Sequence, residues 1–304
     1  MWERMRRRLE FILVWTAVKL LGLPPRSFAR FVGAGIGSIA LLLTPRLRRI
    51  GHLNLALAFP QKSAAEREQI LRKLYRNLGW LLAEFCQMPR YTPATADAFI
   101  RYEGLEHYLA ARDLGKGVLI LTGHLGAWEL SSFYHSLMGY PMSIVIRRLD
   151  NPLVDKLVNR IRCLHGNQVL HKDDFARALL ASMRRGETVG ILMDTNMTPP
   201  QGTFVDFFGH PACTGSGLAR VAMKTGAQVL PGFLLWQEAS QSYVLRFGAP
   251  LTLPASGDLE ADALAHTALF TRVIEDYIRQ YPDQWLWVHR RWKTRPPGEA
   301  AIYT

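Results

Sequence analysis

From residue 100 onward the chain alternates short β-rich runs with longer helical ones, and few folds accommodate that rhythm. Val118–Thr122 precedes a helical stretch at Gly126–Leu137, Ser143–Arg147 precedes Pro152–Leu164, and Gln168–Leu170 precedes Asp174–Arg184. Thr188–Met193 leads into a long loop rich in Gly and Pro. After it come a helix at Ser216–Lys224, strands near Val229–Trp236 and Tyr243–Phe247, and a final helix at Ala261–Gln280. Repeats of this length build βαβ units, so the expected fold class is α/β, a mostly parallel central sheet flanked by helices. In such sheets function gathers outside the carboxyl ends of the strands. Upstream, Ser63-Ala64-Ala65-Glu66 is a capping-box signature for a helix reaching about Gln87, where Pro89 follows.

The first 45 residues are of another kind. Two apolar runs, Phe11–Leu23 with Lys19 inside it and Phe31–Leu43 with no charge, are each shorter than the roughly 20 residues that cross a bilayer. Arginines flank them: Arg4, Arg6, Arg7 and Arg8 on one side, Arg46, Arg48 and Arg49 on the other. The formal net charge of +12 divides between residues 1–50 and a second cluster of Arg290, Arg291, Lys293 and Arg295. Cations that bracket apolar and Trp-rich segments, rather than lining a groove, point to a membrane surface and away from nucleic acid. The expected organisation is therefore an N-terminal helical membrane anchor, residues 1–45, and a catalytic domain, residues 46–304. Trp292, set among the C-terminal cations, is a candidate for the headgroup level. Cys86, Cys163 and Cys213 are widely spaced and odd in number, which argues against a disulfide framework and for a reducing compartment.

The densest chemistry lies at Thr122-Gly123-His124-Leu125-Gly126-Ala127-Trp128-Glu129. On one continuous helix, five residues turn about 500° and leave the two side chains on different faces. With His124 in the loop after strand Val118–Thr122 and Glu129 in the first turns of the next helix, the two can meet. A carboxylate on one imidazole nitrogen fixes the tautomer and raises the basicity of the other, which makes His124 a candidate general base with Glu129 as its partner. His165, His171 and His210 lack metal-ligand spacing, so no metal and no cofactor is expected. Ser216 follows no strand-turn-helix nucleophile elbow.

His124-x4-Glu129 resembles the HX4D/E motif of glycerolipid and lipid A acyltransferases. Further stretches resemble the late acyltransferases of lipid A biosynthesis. They are Arg49 to Pro60 with Asn54-Leu55 and Ala58-Phe59-Pro60, Arg147-Arg148-Leu149-Asp150-Asn151-Pro152, Gly190-Ile191-Leu192-Met193-Asp194, Gly202 to Ala212, and Trp285 to Pro296. That resemblance implies a glycerolipid-acyltransferase-like fold at the cell inner membrane, with its site facing the cytoplasm. It implies direct transfer of an acyl chain from an acyl carrier protein or coenzyme A thioester to a hydroxyl of a lipid A precursor. It also implies that Arg147 binds a phosphate or the oxyanion, and that Asp194 orients Arg147 or the acceptor sugar. The family's commoner Asp-Gln is replaced here by Asp194-Thr195. Two other readings stand beside this one: acylation of another glycolipid, such as a mannosylated phosphoinositide, and a noncatalytic glycolipid-binding membrane protein.

Overall fold

A computed structural model describes residues 2–171 and 175–303; the expected helix start at Asp174 lies outside the described residues. The chain runs α1 (Trp2–Gly22), α2 (Arg26–Leu43), α3 (Pro45–Ala58), α4 (Ala64–Gln87), α5 (Pro93–Asp97), β1 (Ile100–Glu103), α6 (Leu105–Asp113), β2 (Val118–Thr122), α7 (Trp128–Leu137), β3 (Ser143–Ile146) and α8 (Pro152–Arg162). It continues through β4 (Gln168–His171), α9 (Phe175–Arg184), β5 (Thr188–Leu192), β6 (Gly202–Phe207), β7 (His210–Gly215), α10 (Gly217–Thr225), β8 (Gln228–Gln237), β9 (Ser242–Phe247) and α11 (Leu259–Gln280). The seven-stranded sheet has the order β1-β9-β8-β2-β5-β3-β4, parallel except where β8 meets β9. The expected loop after β5 holds instead an antiparallel hairpin, β6–β7, separate from the main sheet.

The central strands are apolar on both faces because helices cover both. On one side Leu119, Leu121, Val189, Ile191 and Phe233 join α9, α10 and α11 in one core; on the other Val118, Ile120, Ile144, Leu230 and Leu245 join α6, α7 and α8 in a second. Strand order reverses between β2 and β5. The connection leaving β2 runs through α7 to one face, and the one leaving β5 leads through the hairpin to α10 on the other. The carboxyl ends of β2 and β5 therefore border the crevice where α/β sheets bind ligands.

The N-terminal helices pack on the body through one face only. Gly33 of α2 and Gly79 of α4 touch backbone to backbone, where a Cβ on Gly33 would lie 2.3 Å from the Gly79 carbonyl oxygen. Helix α4 starts as expected, with Ser63 and Glu66 capping each other reciprocally. Arg30 is buried between the rings of Trp80 and Trp236, 4.0 and 4.1 Å from their centroids, and pairs with Glu84 at 3.1 Å. Arg26 meets the same carboxylate at 2.6 Å, and the Tyr91 hydroxyl donates to it at 2.5 Å. Two of the N-terminal cations thus share one buried carboxylate inside the protein rather than being offered to a surface. The opposite faces of α1 and α2 are apolar and exposed: Leu9, Ile12, Leu13 and Leu20 on the first, Phe28, Phe31, Ile39, Leu42 and Leu43 on the second. Helix α2 is the one helix among the described residues long and apolar enough to cross a membrane.

Candidate active site

Thr122 ends β2, and the next residues turn sharply into α7. Gly126 makes the turn with φ of 67°; a Cβ there would sit 2.0 Å from the Leu234 carbonyl oxygen, so only glycine fits. Main-chain bonds fasten the turn to its surroundings. Gly126 N–H donates to Gln284 O at 3.0 Å, Ala127 N–H to Leu234 O at 2.8 Å, and Leu286 N–H to His124 O at 3.1 Å. His124 is thereby held in the loop, its ring edge-on to Trp128 with centroids 5.3 Å apart.

The carboxylate that meets His124 belongs to Asp194, not Glu129. Asp194 follows β5, and Met193 N–H donates to Thr122 O at 3.0 Å, so the register of β2 and β5 sets the two loops side by side. Asp194 Oδ1 accepts from His124 Nδ1 at 2.9 Å; Oδ2 accepts from the His124 backbone N–H and the Trp285 indole N–H, both at 2.7 Å. Only 3% of Asp194 is exposed. Burial alone would raise its pKa, but the adjacent imidazole and these donors hold it down to about 2. An ionised carboxylate only accepts, so Nδ1 carries a proton and Nε2 is left for a substrate. Burial disfavours the His124 imidazolium, yet the negative charge of Asp194, its hydrogen bond and the charge of Glu129 outweigh this and raise its pKa above the ordinary histidine value.

Glu129 sits in the first turn of α7, as expected, but its carboxylate is gripped by Arg162 in the last turn of α8. Nε donates to Oε2 at 2.8 Å and Nη2 to Oε1, a bidentate, largely buried pair. It acts on His124 through its charge rather than through a hydrogen bond. Arg147 likewise departs from expectation. It stands just past β3, which β5 separates from β2, and its exposed guanidinium meets Asp150 at 3.1 Å. With Asp194 committed to His124 and Trp285, the expected pairing of Asp194 with Arg147 is not formed. The C-terminal segment differs too. Trp292 and Arg291 are fully buried, Arg291 donating to Cys213 O at 2.9 Å and to the Thr214 hydroxyl, so neither faces headgroups. Arg162 and Trp285, which hold the carboxylates of Glu129 and Asp194, were not found from spacing. A charged residue ending an amphipathic helix and a tryptophan in an aromatic run carry no local mark of their partners.

Two cavities flank the pair on opposite faces of the sheet. One, of about 60 Å³, lies under α7 beside Trp128, Glu129 and Arg162, over Gly190 and Leu192. The other, of about 670 Å³, opens between α9, α10 and the loop after Asp194, lined by Val145, Ile191, Met193 and Leu218 with Arg177 and Arg220.

A sequence model of the bacterial lipid A biosynthesis acyltransferases matches residues 3–294. The chain belongs to that family. Among its curated relatives, the lipid A biosynthesis palmitoleoyltransferase and lauroyltransferase of Escherichia coli (strain K12) are 27% and 28% identical over 292 residues, 96% of this chain and 92% of each relative. The myristoyltransferase of the same organism is 25% identical over 283 residues, 93% of this chain and 86% of its own. The protein is an acyltransferase of the lipid A late type, and the match takes in both sides of the site. His124 and Asp194 lie within it, as do Arg162 and Trp285.

Proposed function

We propose that this acyltransferase moves a fatty acyl chain from an acyl carrier protein or coenzyme A thioester to a hydroxyl of a lipid A precursor. The observation that carries the reading is the His124–Asp194 pair at the β2/β5 switch point, with Nε2 free. Nε2 takes the acceptor's hydroxyl proton as its oxygen attacks the thioester carbonyl. The C–S bond of the tetrahedral intermediate then breaks, and the imidazolium returns the proton to the leaving thiolate. Asp194 holds the ring and balances its transient charge, and Glu129, fixed by Arg162, adds negative potential. Asp194 is buried and His124 half-buried, so these charges act more strongly than they would in open solvent. In this reading Arg147, exposed on the carboxyl-end rim of the sheet, binds a phosphate of either substrate. The apolar 670 Å³ cavity beside Asp194 offers room for hydrocarbon.

The exposed apolar faces of α1 and α2 lie in the cytoplasmic leaflet of the inner membrane, flanked by Arg4, Arg6 and Arg8 at anionic headgroups. That arrangement brings the crevice to the membrane where a glycolipid acceptor resides. The test is transfer by purified protein in detergent, given either thioester and a lipid A precursor, with products resolved by mass spectrometry. An acylated product that disappears in a folded His124→Ala variant supports the reading. Undiminished transfer by that variant rules out His124 as the base.

A further inference from the structure

The C-terminal segment brings a second imidazole up to the Asp194 loop. His289 Nε2 accepts a hydrogen bond from the backbone N–H of Asn196 at 3.1 Å. A peptide N–H can only donate, so this Nε2 carries the lone pair, and the ring's single proton is on Nδ1. The main chain of His289 is anchored as well: its carbonyl oxygen accepts from Asn54 Nδ2 at 2.8 Å and from Arg291 N–H at 2.9 Å. The contact lies two residues beyond Asp194. After the Met193 N–H bond to Thr122, the chain leaves the sheet; the C-terminal segment then holds it at Thr195, whose carbonyl oxygen accepts from Arg291 at 3.3 Å, and at Asn196, whose side chain exchanges two hydrogen bonds with Thr294 while its backbone N–H is held by His289.

We propose that His289 is a positioning residue for acyl transfer: its unprotonated Nε2 pins the turn from Asp194 to Asn196, keeping the Asp194 carboxylate seated against His124, and protonation of that nitrogen releases the pin. The inference rests on the acyl-transfer reading above. A proton on Nε2 would face the Asn196 N–H donor to donor, and the turn would have to move. Asp194, His124 and Arg291 are the charged or titratable groups that act on the ring. Burial disfavours its charged form, and His124 and Arg291 add to this against the opposing pull of Asp194, so the pKa lies below the ordinary histidine value. His124 is shifted the other way. Over the range in which His124 exchanges its proton, His289 stays neutral and the pin stays closed.

The test compares wild type with His289→Gln, whose amide oxygen can still accept from Asn196, and His289→Leu, which cannot. With a thioester and lipid A precursor at neutral pH, His289→Leu should lose at least tenfold in kcat with KM within twofold, and His289→Gln should stay within threefold of wild type. On the acid limb, log kcat/KM of the wild type should steepen from slope one toward two below the ordinary histidine range, while His289→Gln keeps slope one. Nitrogen NMR of histidine-labelled wild type should show His289 neutral, with its proton on Nδ1. A His289→Gln variant that melts like wild type yet is as impaired as His289→Leu overturns the proposal, and so does a proton on Nε2. If His289→Leu does not fold, the slope of His289→Gln and the tautomer still decide. Absence of any transfer by wild type refutes the acyl-transfer reading instead, and leaves the NMR result to judge the pin by itself.

Discussion

Replacing Asp194 by asparagine keeps the shape of the side chain and inverts half of its hydrogen bonding. Three N–H groups converge on the two carboxylate oxygens, two of them on Oδ2. An amide supplies one acceptor oxygen and one donating NH2. The least costly placement sets the oxygen toward the His124 backbone and Trp285, which leaves the NH2 facing Nδ1. The ring must then shed its Nδ1 proton and carry it on Nε2, the atom that should receive the acceptor's proton. Such a tautomer inversion in a serine protease triad costs about 10⁴ in kcat, so Asp194→Asn is expected to lose roughly 10³–10⁴-fold, about 4–5.5 kcal/mol of barrier. Stability should fall by only about 2 kcal/mol, since charge-assisted bonds are weakened rather than left wholly unmade. The pH profile supplies an independent sign. A general base works when unprotonated, so wild-type kcat/KM should rise with pH through an apparent pKa above the ordinary histidine value; removing the carboxylate should move that midpoint down. The assay is mass-spectrometric turnover across pH on protein checked by thermal melting. Asp194→Asn retaining kcat within tenfold, or an acid limb that does not move, would refute the assignment of Asp194 as the partner of His124.

Because Glu129 and Arg162 act as one bidentate pair, Glu129→Gln and Arg162→Met should each cut transfer at least tenfold, and the double variant should be little worse than either; full additivity in that cycle would show that they act independently. Arg147→Ala, altering an exposed side chain on the rim, should raise KM severalfold with kcat within twofold, and steady-state kinetics over precursor concentration separates the two effects. Glu84→Gln leaves Arg26 and buried Arg30 without their carboxylate and should destabilise by about 3 kcal/mol, visible as a thermal melt lowered by several degrees while the active-site pH profile is unchanged. Phe31→Glu with Leu42→Glu places charge on the exposed face of α2 and should release the protein from vesicles containing anionic lipid without lowering its melting temperature; retention on the vesicles would shift the contact elsewhere.

The two pKa shifts at the site also set how the pair contributes to folding stability. Asp194 is depressed, so its contribution is complete above the unfolded aspartate value near 3.8 and is lost as pH falls toward about 2. His124 is raised, so its contribution is complete below the unfolded value near 6.5 and is lost as pH rises through its folded value. The pair therefore stabilises the fold most between roughly pH 4 and 6.5, whereas the base acts above its own pKa. Chemical denaturation of wild type and Asp194→Asn across pH should show their difference narrowing at both ends of that interval. A difference independent of pH would mean that the two groups do not titrate as a pair.

The parallel sheet was legible in the sequence because burial on both faces demands unbroken apolar runs, and Val118–Thr122 and Thr188–Leu192 are such runs between helical stretches. The capping box at Ser63 was legible because its partner is three residues away. The β6–β7 hairpin was not. Its strands form a separate two-stranded sheet, and the surrounding Gly and Pro resemble a loop. The site divides in the same way. A strand-end histidine announces itself, but its carboxylate lies 70 residues on and the indole that completes it 91 residues beyond that. Sequence spacing constrains which side chains meet only within one turn or one helix; across a crossover, register decides. Glu129 is near His124 in the chain, yet α7 carries its carboxylate to Arg162. Asp194 reaches the imidazole because β5 lies directly against β2, pairing Thr122 with Leu192 two residues before the aspartate. Moving that register by one residue would turn the side chains after β5 to the other face and part Asp194 from His124, even with every catalytic residue retained.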